Sequence, residues 1–262
     1  MSPSQAVNAP VKRFILFARE PVRGRVKTRL AREIGPAAAA SLYEAFLSDL
    51  AASLTAPGQW DAVLAHAEFE AGPYLLRTFR PPWDLVPQGE GSLGDRLARA
   101  VVRARMEGRR DVLVAGSDAP TLTVEDLFEG FSALEGESDV VFAPAPDGGF
   151  SLVGMRGNVE PASVFPAGVR WSSEHALADC RRSAEVKGYR VRLLSTVPDV
   201  DEITDLGRVE ALFAADPDLA PATRRALLAL LGRSVGRRFS PRRPPAIWTL
   251  GRSRPGRRGS SS

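Results

Sequence analysis

Short apolar runs alternate with stretches of helical period along most of the chain, the pattern of βα units wrapped around a mostly parallel sheet. The first run, about residues 13 to 19, stops at Glu20-Pro21. Gly35-Pro36 then opens an alanine-rich helix to about Leu54, with proline in the first turn, where its missing N–H leaves no bond unmade. DAVLAHA (61 to 67) predicts a second strand, residues 71 to 79 a short helix and DLVPQ (84 to 88) a weaker third strand. Ser92 with Asp95 three positions on has the form of a capping box for a helix from about 93 to 107. DVLVAG (111 to 116) is the most apolar strand, and Thr123 with Asp126 starts the next helix. DVVFAP (139 to 144) and FSLVGM (150 to 155) flank Ala145-Pro146-Asp147-Gly148-Gly149, where Asp-Gly signals a turn. Ser172 opens a helix to about Lys187, YRVRLLS (189 to 195) is the last strand, and two helices near 202 to 215 and 221 to 231 follow. The expectation is a single α/β domain over residues 12 to 232, a three-layer αβα sandwich, between a flexible stretch at 1 to 11 and a tail at 233 to 262.

Charge changes the picture only at that tail. Nine of the 35 basic residues lie after residue 232 with no acidic residue among them, so residues 1 to 232 hold 26 basic against 31 acidic side chains, about −5. The basic pI of about 9.7 therefore belongs to a Pro/Gly/Ser/Arg segment whose composition disfavours a packed core, and nucleic-acid binding would rest on it alone. One cysteine, Cys180, excludes a disulfide framework, and with only His66 and His175 no Cys/His zinc site of the usual spacing can be written. The opening residues lack the apolar region of a signal peptide, and no apolar run nears the roughly 18 residues of a membrane span, so a cytoplasmic protein without a membrane partner is expected.

In open α/β sheets ligands bind beyond the carboxyl ends of strands, and four segments there carry chemistry. After the first strand, Gly24-Arg25-Val26-Lys27-Thr28-Arg29 offers backbone N–H groups, a hydroxyl and cations to phosphate oxygens, although the Walker A spacing is absent. Lysine occurs only at Lys12, Lys27 and Lys187, which singles out Lys27 in a chain that otherwise uses arginine. After the fourth strand, Asp118 in Gly116-Ser117-Asp118-Ala119-Pro120 is placed to hold Mg²⁺ or Mn²⁺, hard ions shared with substrate phosphates, or simply to satisfy a turn. Asp199 and Asp201 point to one side of an extended segment and could grip one cation, unless Asp201 caps the following helix. Asp147-Gly148-Gly149-Phe150 is either a hairpin turn or a place where a sugar or acceptor lies against backbone with Asp147 as base. Gly91, Leu93 and Arg96 sit in a glycine-rich approach to a helix where a nucleotide could rest, and Trp171 is a packed aromatic or a substrate platform.

In their order, these motifs resemble the DUF2064 family, also labelled rSAM/selenodomain-associated transferase 1 or arsenosugar-biosynthesis-type glycosyltransferase. The resemblance runs through Phe17-Ala18-Arg19-Glu20-Pro21, Lys27-Thr28-Arg29-Leu30, Pro87-Gln88-Gly89, Leu93-Gly94 with Arg96, Gly116 to Pro120, Pro146 to Phe150, Trp171-Ser172 and Asp199-Val200-Asp201 with Asp205-Leu206. It covers about residues 12 to 207. The opening loop is also similar to that of the 2-phospholactate guanylyltransferases. The resemblance implies a GT-A fold, the Rossmann-like sandwich of nucleotide-diphospho-sugar transferases. It assigns Lys27 and Arg29 to nucleotide phosphates, Asp118, Asp199 and Asp201 to a divalent ion, and residues 147 to 150 to the donor-sugar or acceptor side. Arg19 stands where the family usually has lysine, Ala119 replaces a common serine, Glu202 follows where threonine is usual, and Val169-Arg170 precedes Trp171 in place of Ile-Pro.

Two enzyme readings follow, both acting on a nucleotide or nucleotide-sugar and a small-molecule acceptor. In a glycosyltransferase a nucleoside diphosphate leaves the anomeric carbon; in a nucleotidyltransferase a phosphorylated acceptor attacks a nucleoside triphosphate and pyrophosphate leaves. A non-catalytic nucleotide sensor is a third reading, against which the three carboxylates argue.

Overall fold

The computed structural model describes residues 12–238, with side chains to residue 230. The predicted flexible start and most of the basic tail lie outside the described residues. Seven strands form one sheet in the order β3-β2-β1-β4-β6-β5-β7. These are β1 (Lys12–Ala18), β2 (Asp61–His66), β3 (Trp83–Pro87), β4 (Asp111–Gly116), β5 (Val140–Pro144), β6 (Phe150–Met155) and β7 (Val191–Leu193). All pairings are parallel except those of β6, which turns back through the Asp147-Gly148 hairpin and inserts between β4 and β5.

Helices cover both faces, and the alternation along β1 shows why. Phe14, Leu16 and Ala18 face one hydrophobic cluster, while Ile15 and Phe17 face the other. The first cluster takes in α2 (Pro36–Ser53), α5 (Val124–Glu135), α8 (Ile203–Ala215) and α9 (Pro221–Arg238); the second takes in α4 (Leu93–Met106), α6 (Pro161–Val164) and α7 (Ala176–Val186). Two short helices, α1 (Thr28–Ile34) and α3 (Pro73–Thr78), sit in the connections after β1 and β2. The predicted sandwich is thus observed. Both capping boxes read from the sequence form, Ser92 with Asp95 and Thr123 with Asp126.

Some expectations need correction. α1 occupies a stretch read as loop, because Lys27, which precedes it, adopts a left-handed conformation that no capping residue announces. Ser172 does not open the next helix: its φ is 57°, and α7 begins after His175, which caps nothing with its side chain. Helix α9 runs on to Arg238, through the boundary expected at residue 232, since no proline interrupts it before Pro241. Asp201 does not cap α8. That task falls to a box between Glu202 and Asp205, whose carboxylate accepts the backbone N–H groups of both Asp201 and Glu202.

Cys180 is fully buried in α7, and burial, reinforced by Asp179, pushes its thiol up to about 12. The folded protein is expected to leave an aromatic disulfide reagent unreacted at neutral pH, with one thiol titrating only in denaturant.

Candidate active site

The strand order reverses between β1, which leads outward to β2, and β4, which leads to the other half of the sheet. At such a switch point the loops beyond the strand ends part and leave a crevice. A cavity of about 550 Å³ opens there, floored by Phe17, Ala18 and Gly116 and walled by the loop of residues 25 to 29 and by the start of α4.

Lys27 is its hub. The ammonium is buried, with 2% of the side chain exposed, and forms ion pairs with Asp118 and with Asp201, the latter at 2.9 Å. It also stands 5.9 Å from the ring centre of Tyr43 and 5.6 Å from that of Phe46. Burial pulls its pKa down, but the two carboxylates outweigh it and hold the group above its ordinary value. The backbone N–H of Val200 donates to the carbonyl of Asp118 at 2.9 Å, which fixes the 199 to 201 segment beside the end of β4. With Asp205 capping α8, the Asp201 side chain is left for the cavity.

The remaining cations differ from Lys27. Arg19, Arg25 and Arg96 line the cavity, and among the described residues no carboxylate stands within ion-pair distance of them. Arg29, beside Thr28 on the same wall, reaches the exposed Glu202, at 3.5 Å. Burial, and then the neighbouring charges of Arg19 and Arg99, depress the Arg96 pKa, as expected where positive groups gather without a counter-ion.

Gln88 holds Arg96 in place. Its buried amide donates to the carbonyls of Ala65 at 2.8 Å and Ala18 at 3.2 Å, at the ends of β2 and β1, and its carbonyl accepts from Arg96 at 2.8 Å. Gln88→Leu is expected to lower stability by about 1 to 3 kcal/mol, because two strand-end carbonyls each lose one donor, and to weaken phosphate binding by releasing Arg96. Denaturant unfolding and pyrophosphate titration of the same variant check the two effects. Tyr43 has a parallel role across the cavity. Its hydroxyl lies 2.6 Å from Ser117 Oγ and accepts the Arg19 N–H at 3.3 Å, tying the loops after β1 and β4 together. Burial, with Asp118 adding, raises that phenol's pKa.

Of the residues singled out by sequence, Lys27, Thr28, Arg29, Leu93, Arg96, Asp118, Asp147, Phe150 and Asp201 converge on the cavity. Gly24, Gly91, Gly148, Gly149, Trp171 and Asp199 are not part of its wall. Gly24, at φ 77°, serves the turn closed by Arg25 N–H on the Val22 carbonyl. At Gly148 a Cβ would lie 2.2 Å from the Glu174 carbonyl oxygen, so this glycine lets the approach to α7 pass over the hairpin. Asp147 accepts the Gly149 N–H at 2.8 Å, as a hairpin turn requires, while remaining exposed at the cavity edge. Trp171 packs between Phe150 and Phe165 and lies over Gly94, so it supports the wall rather than forming it. Arg170 is tied to Asp179, 2.7 Å away, outside the cavity. Sequence reading passed over Tyr43, took Arg25 only as one of several loop cations, and gave Ser117 and Gln88 no task of their own.

The three carboxylates expected to form a metal cage do not assemble. Among the described residues no group of three or more His, Cys, Asp or Glu side chains is gathered closely enough to hold a metal. Two of them, Asp118 and Asp201, do converge on a single cation, the Lys27 ammonium. That donor set fits the habit of Mg²⁺, which takes one or two carboxylates and completes its shell with substrate phosphates and water. Asp199 is half-buried nearby; burial, then the charges of Asp147, Asp201 and Asp205, pushes its carboxyl up to about 6.

Sheet order, the single reversed strand and the crevice at the switch point define the Rossmann-like sandwich of the nucleotide-diphospho-sugar transferases. Residues 50–173 match the family model described as "Uncharacterized protein conserved in bacteria (DUF2064)", the family whose motifs the sequence resembles. A similar solved structure is that of a protein from Desulfovibrio desulfuricans G20, provisionally assigned as a nucleotide-diphospho-sugar transferase. It has a TM-score of 0.77 and 26% identity over 86% of this chain and 98% of that one. A cytidylyltransferase from Leptospira borgpetersenii serovar Hardjo-bovis shares the fold, with a TM-score of 0.53 and 9% identity over 86% of this chain and 96% of that one. No curated protein matches the sequence. Among the described residues no helix is long and apolar enough to cross a membrane.

Proposed function

We propose that this chain is a nucleotide-using transferase whose cavity receives the phosphates of a nucleoside-diphosphate sugar and whose reaction passes the sugar to a small-molecule acceptor. The observation that carries the reading is the set of three arginines, Arg19, Arg25 and Arg96, that have no carboxylate partner among the described residues and stand around a crevice at the switch point. Guanidinium groups so placed match phosphate oxygens, and an anion relieves their mutual repulsion. Lys27 and Arg29 add positive charge where a diphosphate would depart. Asp147, exposed at the opposite edge, is placed to accept the acceptor's hydroxyl proton. When bound, Mg²⁺ or Mn²⁺ held by Asp118 and Asp201, with Asp199 near, would neutralise charge on the leaving phosphates.

A second reading, nucleotidyl transfer to a phosphorylated acceptor, is favoured by the density of unpaired positive charge, which suits a triphosphate. The likeness, over most of both chains, to a protein provisionally assigned as a nucleotide-diphospho-sugar transferase supports glycosyl transfer. Calorimetric titration of the full chain in Mn²⁺ against nucleoside-diphosphate sugars and the matching triphosphates separates the two. Tighter binding of one diphosphate sugar is expected. Tighter binding of a triphosphate, with its sugar derivative weak, replaces the first reading with the second.

A further inference from the structure

Asp118 and Asp201 lie 83 positions apart in sequence, yet both carboxylates are spent on one ammonium. That ammonium is not a surface group that happens to lie close. Its side chain is 2% exposed, two aromatic rings stand against it, and its backbone is held left-handed at φ 46° before α1. The two carboxylates are, by contrast, 52% and 43% exposed, so their free oxygens face the cavity. A divalent ion entering between them meets a positive charge already in the bridging position, and like charges that close disfavour one another strongly in a partly buried site.

We infer that Lys27 is a built-in counter-ion that keeps the Asp118 and Asp201 pair closed to a bare divalent cation until a phosphate-bearing ligand draws the ammonium away. The inference rests on the proposed reading of the cavity as a phosphate and metal site, and it adds an order: anion and metal load together. The unpaired arginines supply the initial attraction for the anion, and phosphate oxygens then offer Lys27 a replacement for its carboxylates. The ion pair therefore couples two binding events without any change in the fold.

Manganese resonance measures this directly, since free and bound Mn²⁺ give different signals. With the full wild-type chain, Mn²⁺ alone is expected to bind weakly and Mn²⁺ with inorganic pyrophosphate tightly. Lys27→Met should bind Mn²⁺ alone about tenfold more tightly than wild type, inside the 5- to 150-fold range usual for coupled sites, while Lys27→Arg keeps the weak binding. Equal Mn²⁺ affinity in wild type and Lys27→Met, with Mn²⁺ and pyrophosphate still binding the wild type, overturns the inference and leaves the function reading standing. Absence of any Mn²⁺ binding to the wild type, with pyrophosphate or with nucleotide, removes the metal reading and the inference with it. A second measurement needs no variant. The chain has three lysines, so the Lys27 ammonium can be followed by ¹⁵N resonance. Mg²⁺ alone should leave its signal in place and Mg²⁺ with pyrophosphate should shift it; a shift with Mg²⁺ alone, or none in either case, overturns the inference.

Discussion

Arg96→Ala is expected to weaken nucleotide binding by about 1.5 to 3 kcal/mol, roughly 10- to 150-fold, the range for a hydrogen bond to a charged group. Its thermal midpoint should stay close to that of wild type. The asymmetry follows from its surroundings. Arg96 makes no ion pair among the described residues, and its bonds run to the Gln88 carbonyl at 2.8 Å and, weakly, to the Ser92 carbonyl at 3.4 Å. Removing it leaves the Gln88 carbonyl oxygen, on the cavity wall, to water and relieves repulsion with Arg19 and Arg99, whereas a bound phosphate loses a partner in a half-buried place. Titration calorimetry on wild type and variant, with a melting curve for each, checks both halves. Equal nucleotide affinity would return this arginine to an ordinary surface role and take the carrying observation with it.

The second large effect concerns stability. Asp49, buried in α2, accepts three hydrogen bonds from the start of α9: from Ala222 N–H at 2.9 Å, Thr223 N–H at 2.7 Å and Thr223 Oγ1 at 2.7 Å. It acts as the cap of a helix 173 residues away and fastens the last helix to the first cluster. Asp49→Ala leaves those donors buried beside Thr223, which is wholly covered. A loss of about 3 kcal/mol is expected from the unpaired donors and the missing cap, and about 10 °C in Tm for a domain of this size. Asp49→Asn should recover part of it, because one amide oxygen still accepts. Thermal and denaturant unfolding of the three proteins test this; a variant within 0.5 kcal/mol of wild type, the usual scatter of neutral surface changes, contradicts the anchoring role.

The fold was legible where local pattern sufficed. Alternating apolar runs and Pro, Gly and capping residues located the strands and most helices, and the Asp-Gly turn between two strands anticipated the one antiparallel member of the sheet. The order of the strands was not readable, because parallel pairing joins distant segments that share no local signal. Helix α1 escaped because only Leu30 of its seven residues is buried. In the site, Lys27, Asp118 and Asp201 stood out as residue types in plausible places. Their mutual pairing did not, since Lys27 and Asp201 are 174 residues apart. Gln88 and Tyr43 carry no distinguishing chemistry in sequence; their work depends on which strand-end groups they reach. Gly148 and Trp171 had two readings each, and packing against Glu174 and against Phe150, Phe165 and Gly94 decides for the structural one.

The central claim is that a nucleotide's phosphates lie in the crevice between the loop of residues 25 to 29 and Arg96. A crystal structure of the full chain grown with Mn²⁺ and a nucleoside diphosphate tests it most directly. The account predicts phosphate oxygens within hydrogen-bond distance of Arg96 and of at least one of Arg19 and Arg25, beside Asp118. A nucleotide bound elsewhere on the molecule, with these arginines still facing solvent, would contradict it.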